Sequence, residues 1–179
     1  YGADALVDIL TGDVNPSGKL PITYPRYPNS LVPYIHKPSE GGSNPQGGEF
    51  DPQWQFGFGL SYTSFAYSNL NINKNIFSPD ETATISVTIK NTGTREGKEV
   101  AQLYVSQLVA SITPDVKRLR GFDKIDLKPG ESKTVTFHLP LKDIAYVNNE
   151  NKKILEAGDF KIQIENLTST FSINKTKTF

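Results

Sequence analysis

The strongest constraint on the fold of this chain is a series of short segments in which apolar and polar residues alternate. Within residues 82–91, the apolar residues Ile85, Val87 and Ile89 alternate with hydroxyl-bearing residues. Further strand-like segments lie at residues 66–73, 99–106, 134–139 and 159–165, and Phe171 and Ile173 end the series. A period of two residues is what a β-strand with one buried face requires.

Turn-forming residues separate these segments. Asn91-Thr92-Gly93, Pro129-Gly130 and Ala157-Gly158-Asp159 are typical of tight connections between strands. Roughly seven short strands over about 110 residues are typical of an immunoglobulin-like or fibronectin type III-like β-sandwich. We therefore predict a mainly β chain whose larger part, residues 63–179, is a sandwich of this type.

The N-terminal residues follow a different pattern. Residues 3–10 predict a helix with Leu6, Val7 and Leu10 on one face, and Gly12 provides its end. A turn at residues 13–18 leads into a predicted strand, Lys19–Tyr24. One helix-turn-strand step cannot bury its own apolar faces. We interpret it as the end of an α/β domain whose other layers lie outside this chain.

A long connection follows this step. Residues 25–53 are rich in proline and glycine, and the composition of residues 39–48 predicts a polar loop. Residues 54–62 then concentrate aromatic residues and glycine, which predicts a tight corner between two domains. We assign residues 1–62 to the end of the α/β domain with its connecting loop.

The composition excludes several classes of protein. Lys and Arg together number 19, as do Asp and Glu, so we expect no nucleic-acid partner. No apolar run approaches the length of about 18 residues that a membrane span needs. There is no cysteine for a disulfide, a thiol nucleophile or a thiolate metal site. There is also no methionine, so we expect Tyr1 to be a processed end or the start of a fragment.

No residue set in the chain predicts catalysis, a metal site or a cofactor. His36 and His138 are isolated, without further ligands at metal-binding spacing. The glycines of residues 56–62 do not follow the G-x-G-x-x-G pattern of dinucleotide-binding proteins. Lys117, Arg118 and Arg120 form a basic cluster, which we interpret as a partner of carboxylates or carbonyls on neighbouring domains.

One segment is a candidate for binding sugar. Glu49 and Asp51 flank Phe50, and Trp54 follows closely. In an extended segment, residues two apart point the same way, so the two carboxylates can converge. Aromatic faces stack on sugar rings and carboxylates accept hydrogen bonds from hydroxyls. The alternative interpretation is a solvated loop that Trp54 anchors to the neighbouring domain.

Three blocks in series resemble glycoside hydrolase family 3, the family of β-glucosidases and β-xylosidases. The first lies in residues 6–26 and contains GDVNPSG, and the second is FGFGLSYTSF at residues 56–65. The third runs through the predicted sandwich as GKEVAQLYV from Gly97, KRLRGFDKI from Lys117 and LKPGESKTVTF from Leu127. The blocks resemble the end of the α/β sandwich domain of this family, its connecting segment and its fibronectin type III-like domain.

The resemblance implies a retaining exo-hydrolase that removes terminal β-linked glucose or related sugars. Such enzymes use an aspartate nucleophile on a (β/α)₈ barrel and a glutamate acid/base. A barrel takes about 250 residues, so the nucleophile must lie outside this chain. The resemblance also places the acid/base glutamate upstream of residue 6. We therefore expect no catalytic residue here, and a partner in the remaining catalytic domains of the same enzyme.

A different class of function remains open. A free-standing carbohydrate-binding or adhesion module has the same sandwich fold, because a fold alone does not determine function. In that case the aromatic segment around Phe50 and Trp54 is the binding site. An extracellular or periplasmic location is an expectation from the family resemblance.

Overall fold

The structure, a computed structural model, describes residues 2–30, 32–38 and 50–179. Its N-terminal elements are helix α1 (Gly2–Thr11) and strands β1 (Tyr24–Pro25) and β2 (Pro52–Trp54). The following strands are β3 (Phe65–Ile72), β4 (Ile76–Phe77), β5 (Thr82–Asn91), β6 (Gly97–Gln107), β7 (Arg118–Leu127), β8 (Ser132–Pro140), β9 (Tyr146–Val147), β10 (Lys153–Leu155), β11 (Gly158–Ile164), β12 (Leu167–Ile173) and β13 (Lys177–Thr178). A 3₁₀ turn, Leu141–Ile144, follows β8. No helix in the described part of the chain is long and apolar enough to cross a membrane.

The main body is a sandwich of two sheets. One sheet has the order β4-β12-β11-β6-β7, and the other has the order β3-β5-β8. The pairs are antiparallel except that β4 runs parallel to β12. A small sheet, β13-β10-β9, lies beside them. This architecture confirms the prediction of a mainly β, fibronectin type III-like sandwich.

The core lies between the two main sheets and consists of the inward half of each alternating strand. Strand β5 contributes Ile85, Val87 and Ile89, which are all fully buried. Strand β6 contributes Ala101 and Leu103 from the facing sheet. The alternation in the sequence therefore identifies the residues that leave water, which is the dominant favourable contribution to folding.

One buried polar side chain organises the end of the sandwich. Asn91 is 0% exposed, and its Nδ2 donates to the carbonyls of Arg95 at 2.7 Å and Leu127 at 3.0 Å. Its Oδ1 accepts from the Thr63 hydroxyl at 2.8 Å and from the Gly93 amide at 3.1 Å. The side-chain amide of Asn91 thus makes four hydrogen bonds, and these stabilise the turn predicted at residues 91–93.

The N-terminal segment is attached to the sandwich through a second asparagine. Asn15, in the GDVNPSG turn, donates from Nδ2 to the Glu96 carbonyl at 3.0 Å. Its Oδ1 accepts from the Ser61 hydroxyl at 3.0 Å and from the Tyr62 amide at 2.8 Å. Arg95 reaches back to the carbonyl of Gly12, the residue that ends α1 with a φ of 85°. We call the connection at residues 25–62 the linker. The turn at residues 12–18 therefore joins the helix, the linker and the sandwich.

Two details of the predicted secondary structure are wrong. The predicted strand Lys19–Tyr24 is irregular except at its last residue, which begins β1. Pro21 has no amide hydrogen to pair, and Leu20 instead pairs with the linker. The other error is the omission of β7, a ten-residue strand that carries Arg118 and Arg120. As an edge strand it buries few residues, so its sequence lacks a strong apolar alternation.

We expect the substitution Asn91→Ala to lower the free energy of unfolding by about 3 kcal/mol, because it leaves several buried groups without hydrogen-bond partners. The measurement is urea denaturation of the purified chain. The control is Asn73→Ala, which removes one hydrogen bond between exposed residues, from the Thr84 amide at 2.9 Å. We expect it to cost less than about 1 kcal/mol. Equal losses in the two variants would contradict this assignment.

Candidate functional site

A cleft of about 380 Å³ lies between residues 52–58 of the linker and the five-stranded sheet. We call it the linker cleft. The sheet side includes Val100, Gln102 and Tyr104 of β6, which alternate with the buried core residues of the same strand. The linker therefore covers part of the outer face of this sheet. The remaining lining residues are Lys19, Tyr67, Lys117, Gln163 and Glu165.

Three aromatic rings stand together at the linker side of the cleft. Tyr24 and Trp54 are partners in the short β1-β2 ladder, and their ring centroids are 5.3 Å apart. Phe58 lies nearly parallel to Trp54, with the centroids 6.2 Å apart. Trp54 remains 40% exposed. The group thus presents an apolar surface that water still reaches.

Gly57 sets how closely the linker approaches the sheet. Its amide donates to the Leu20 carbonyl at 2.8 Å, and the Leu20 amide donates to the Phe58 carbonyl at 2.8 Å. Its φ is 83°, a conformation that glycine adopts without steric cost. A Cβ here would lie 2.4 Å from Gln102 Oε1 and 2.5 Å from the Tyr104 hydroxyl. The linker is therefore seated directly on the polar side chains of β6.

The sheet side of the cleft provides hydrogen-bonding groups. The Tyr104 hydroxyl donates to Gln102 Oε1 at 2.8 Å. Gln163 of β11 lies opposite Tyr104 in the strand register, so it adds a second amide to the same surface. Burial raises the pKa of Tyr104 to about 12, with smaller contributions from Tyr34 and from the negative charge of Glu165. The hydroxyl therefore stays protonated across the physiological range.

A cation and a carboxylate complete the lining. Lys117 Nζ lies 4.6 Å from the centroid of the Tyr104 ring. Burial lowers the pKa of Lys117, and the charge of Glu165 acts in the opposite direction. Glu165 itself has a φ of 53°, at the turn between β11 and β12. Lys117 and Glu165 thus place one positive and one negative charge in the lining of the cleft, in addition to Lys19.

A buried ion pair ties the cleft to the rest of the fold. Glu99 of β6 is 7% exposed, and its Oε1 lies 3.1 Å from Lys19 Nζ. The Tyr67 hydroxyl of β3 donates to the same oxygen at 2.8 Å. Burial, and then the charge of Glu99, raise the pKa of Tyr67 well above its usual range. The carboxylate therefore joins the N-terminal segment to both main sheets.

The predicted sugar-binding residues do not all meet at this cleft. Trp54 lines it. The Phe50 ring stacks on His36, with centroids 3.7 Å apart, and Asp51 Oδ2 lies 3.0 Å from Arg26 Nε. Glu49 lies outside the described residues. Of the three predicted residues that the structure describes, one lines the cleft, and the convergence of Glu49 and Asp51 stays a prediction.

The lining of the cleft suits binding rather than hydrolysis. Among its described lining residues, Glu165 is the one carboxylate. A retaining glycosidase needs two carboxyl groups about 5–5.5 Å apart. Within the part of the chain that the structure describes, no group of three His, Cys, Asp or Glu residues is placed to hold a metal ion. An aromatic surface beside amides and a hydroxyl fits a ligand with many hydroxyl groups.

Sequence reasoning did not identify the sheet side of this cleft. The alternation of β6 places Gln102 and Tyr104 on the face away from the core. The alternation shows that the side chains of Gln102 and Tyr104 point away from the core. It does not show that the linker packs on them. Gln163 comes from a strand about 60 residues further along the chain, and only the pairing of β11 with β6 brings it beside Tyr104.

Two family models match the chain in the order of its parts. Residues 1–62 match the glycosyl hydrolase family 3 C-terminal domain, and residues 99–168 match the fibronectin type III-like domain. The first match covers the helix-containing segment and the linker, and the second lies within the sandwich.

The chain is also similar to the C-terminal part of individual β-glucosidases. The chain is 41% identical over 176 residues to a lysosomal β-glucosidase of Dictyostelium discoideum, a match that covers 92% of this chain and 21% of the relative. It is 40% identical over 174 residues to a periplasmic β-glucosidase of Salmonella typhimurium, with 91% and 23% covered. A solved β-glucosidase structure from Erythrobacter marinus superposes with a TM-score of 0.88 at 36% identity, covering 97% of this chain and 24% of that one. The chain thus spans less than a quarter of the length of these relatives.

We expect Gly57→Ala to displace the linker from the sheet, because the added Cβ meets Gln102 and Tyr104 and the positive φ disfavours alanine. Trp54 is the only tryptophan in the chain, so its fluorescence reports on the linker. We expect a shift of its emission to longer wavelength and a loss of about 2–4 kcal/mol in the free energy of unfolding.

The control for this prediction is Gly130→Ala. Gly130 has a similar φ of 77°, but nothing lies within 4 Å of the position of a Cβ. We expect it to carry only the cost of the backbone conformation, about 1–2 kcal/mol, with unchanged Trp54 emission. Identical stability losses and unchanged emission in both variants would show that the linker is not seated as described.

Proposed function

Because the chain belongs to glycoside hydrolase family 3 and corresponds to its C-terminal part, we propose that it is the non-catalytic end of a retaining, exo-acting β-glycosidase. The complete enzyme removes terminal β-linked glucose or a related sugar from an oligo- or disaccharide. The observation that carries this proposal is the match of both family domains in their expected order, over residues 1–62 and residues 99–168.

The exposed face of helix α1 supports a role within a larger assembly. Leu6, Val7 and Leu10 form one side of the helix, and each is more than half exposed. A helix with an apolar stripe gains stability by burying that stripe against another layer. We propose that the remaining catalytic domains of the same enzyme, the barrel and the α/β domain, include the layer that covers this face.

The proposed boundary between the two parts lies between residues 62 and 63. Ser61 and Tyr62 are hydrogen-bonded to Asn15 in the N-terminal segment. The Thr63 hydroxyl is instead bonded to Asn91, which belongs to the sandwich. The chain therefore changes its hydrogen-bond partners at this point, just before β3.

We propose an extracellular or periplasmic location for the complete enzyme. One similar protein is a periplasmic β-glucosidase and another is lysosomal. Sugars released from polymers outside the cytoplasm are the substrates that an exo-acting enzyme in such a compartment would meet.

The purified chain should not hydrolyse 4-nitrophenyl β-D-glucoside, whereas the complete enzyme should.

The substitution Leu6→Asp tests the role of the helix. In the complete enzyme we expect it to lower the Tm by several degrees, because it buries a charge at the interface. In the purified chain we expect almost no change, since Leu6 is 57% exposed there.

The matched control is Val147→Asp on β9, where the valine is 58% exposed. We expect it to leave the Tm of both proteins nearly unchanged. Hydrolysis by the purified chain would overturn the non-catalytic assignment. Equal effects of the two substitutions in the complete enzyme would overturn the proposed contact of helix α1.

A second proposal concerns the linker cleft. We propose that it binds a sugar ring, with Trp54 and Phe58 against the apolar face of the ring and the amides of Gln102 and Gln163 bonded to its hydroxyls. The specific observation is the combination of an accessible aromatic pair with convergent amides in one cleft. This function is compatible both with a part of the enzyme and with a separate carbohydrate-binding module.

Titration of the chain with cellobiose, followed by Trp54 fluorescence, tests this role. We expect a saturable change in the wild type and a loss of binding of about tenfold in Phe58→Ala. The control Phe179→Ala removes an aromatic ring that is also exposed but lies beside Lys153 and Lys177, outside the cleft. It should bind as the wild type does. No saturable change in the wild type would exclude sugar binding here.

A further inference from the structure

A second, smaller cavity lies on another part of the sandwich, where the segment before β7 turns back on the linker. Its volume is about 70 Å³. A cavity of this size has room for a group of a few non-hydrogen atoms. Its apolar walls include Ile112 and Phe160, and its polar lining includes Gln107, Asp115 and Arg120.

Two hydrogen-bond donors in this lining have no acceptor. Arg120 Nε and Gln107 Nε2 are both buried, and neither has a partner among the described residues. They come from neighbouring strands, β7 and the end of β6, yet they line the same cavity. A buried donor without an acceptor costs about 1–3 kcal/mol, and more when the group is charged. Two such donors at one cavity indicate a missing acceptor.

The charges of the cavity indicate the sign of that acceptor. Among the described lining residues, Asp115 is the one carboxylate beside the cations Lys37, Arg118 and Arg120. Asp115 Oδ1 accepts from Lys37 Nζ at 2.6 Å, and Oδ2 accepts from the Arg118 guanidinium. The Asp115 side chain is 6% exposed, so both of its oxygens are already engaged inside the protein.

Both oxygens of Asp115 thus accept from Lys37 and Arg118, whereas Arg120 Nε has no acceptor among the described residues. Burial lowers the pKa of Arg120 and the neighbouring charge of Arg118 lowers it further, while Tyr34 and the carboxylates of Asp143 and Asp115 act in the opposite direction. By contrast, burial alone would raise the pKa of Asp115, but the hydrogen bonds from Lys37 and Arg118 outweigh it and lower the pKa. A water molecule can accept from Arg120 Nε, but it does not compensate the positive charge.

We propose that this cavity binds one small oxyanion, a carboxylate or phosphate-type group, through Arg120 Nε–H and Gln107 Nε2–H. A guanidinium and an amide together supply directional donors, and hydrogen bonds from a cation to an oxyanion are the stronger kind. The anion has two possible sources: a free anion from solution, or an Asp or Glu side chain from a part of the enzyme outside this chain.

The first test uses the chain itself. Acetate and inorganic phosphate are titrated at constant ionic strength, and the ¹H–¹⁵N resonances of Arg120 Nε and Gln107 Nε2 are followed by NMR. We expect both resonances to shift together and to saturate with at least one of the two anions. No saturable shift with either anion overturns the proposal, and so does a shift that equal concentrations of sodium chloride reproduce.

Two variants separate this site from general charge effects. Arg120→Gln should weaken anion binding by about tenfold or more, measured on the Gln107 resonance. The control is Arg26→Gln, which removes an exposed guanidinium paired with Asp51 and should bind anions as the wild type does. Equal binding by both variants overturns the assignment. Gln107→Leu keeps the guanidinium and gives an independent reading, from the Arg120 resonance, if Arg120→Gln does not fold.

The second test distinguishes the two sources and rests on the proposed function. A crystal of the complete enzyme is soaked in selenate, whose anomalous signal marks a bound oxyanion. A selenium peak between Arg120 and Gln107 assigns the cavity to a free anion. A carboxylate side chain of the enzyme in that position assigns it to an internal contact. A cavity that holds ordered water alone in the complete enzyme overturns the proposal.

Discussion

The carboxylate of Glu99 is buried where three parts of the molecule meet. It accepts hydrogen bonds from Lys19 of the N-terminal segment and from Tyr67 of the three-stranded sheet, while Glu99 itself belongs to the five-stranded sheet. A buried charge is tolerated only where its partners are in place, because the cost of removing it from water is large. Together with the hydrogen bonds of Asn15, this contact therefore holds the N-terminal segment, and with it the linker, against the sandwich.

The linker forms one side of both the linker cleft and the small cavity beside Arg120. It is held to Leu20 through Gly57, and Lys37 in its earlier part is bonded to Asp115. The first contact places Trp54 over the outer face of the sheet and forms the linker cleft. The second contact closes the small cavity beside Arg120. Two half-buried cations differ in one respect: Lys19 Nζ is paired with the carboxylate of Glu99, whereas Arg120 Nε has no hydrogen-bond partner among the described residues.

The sequence predicts a strand correctly where apolar and polar residues alternate clearly. Strand β5 was predictable to the residue, because Ile85, Val87 and Ile89 alternate and are all buried. Strand β7 was not, since an edge strand needs few buried residues and its charged residues conceal the alternation. The sequence predicted a binding role for Trp54 but not for Gln102, because Trp54 is the only tryptophan of the chain, whereas polar residues on a strand are common.

The sequence by itself determined which residues form the core of the sandwich, where its turns lie and which enzyme family the chain belongs to. These properties depend on local periodicity and on short motifs such as GDVNPSG, which are visible without coordinates. Only the tertiary structure decided which face of the sheet the linker covers, that Asp51 pairs with Arg26, and that Arg120 and Gln107 share one cavity. Those contacts join residues distant in sequence, and neighbouring residues in the chain carry no information about which distant side chain will compensate a buried charge.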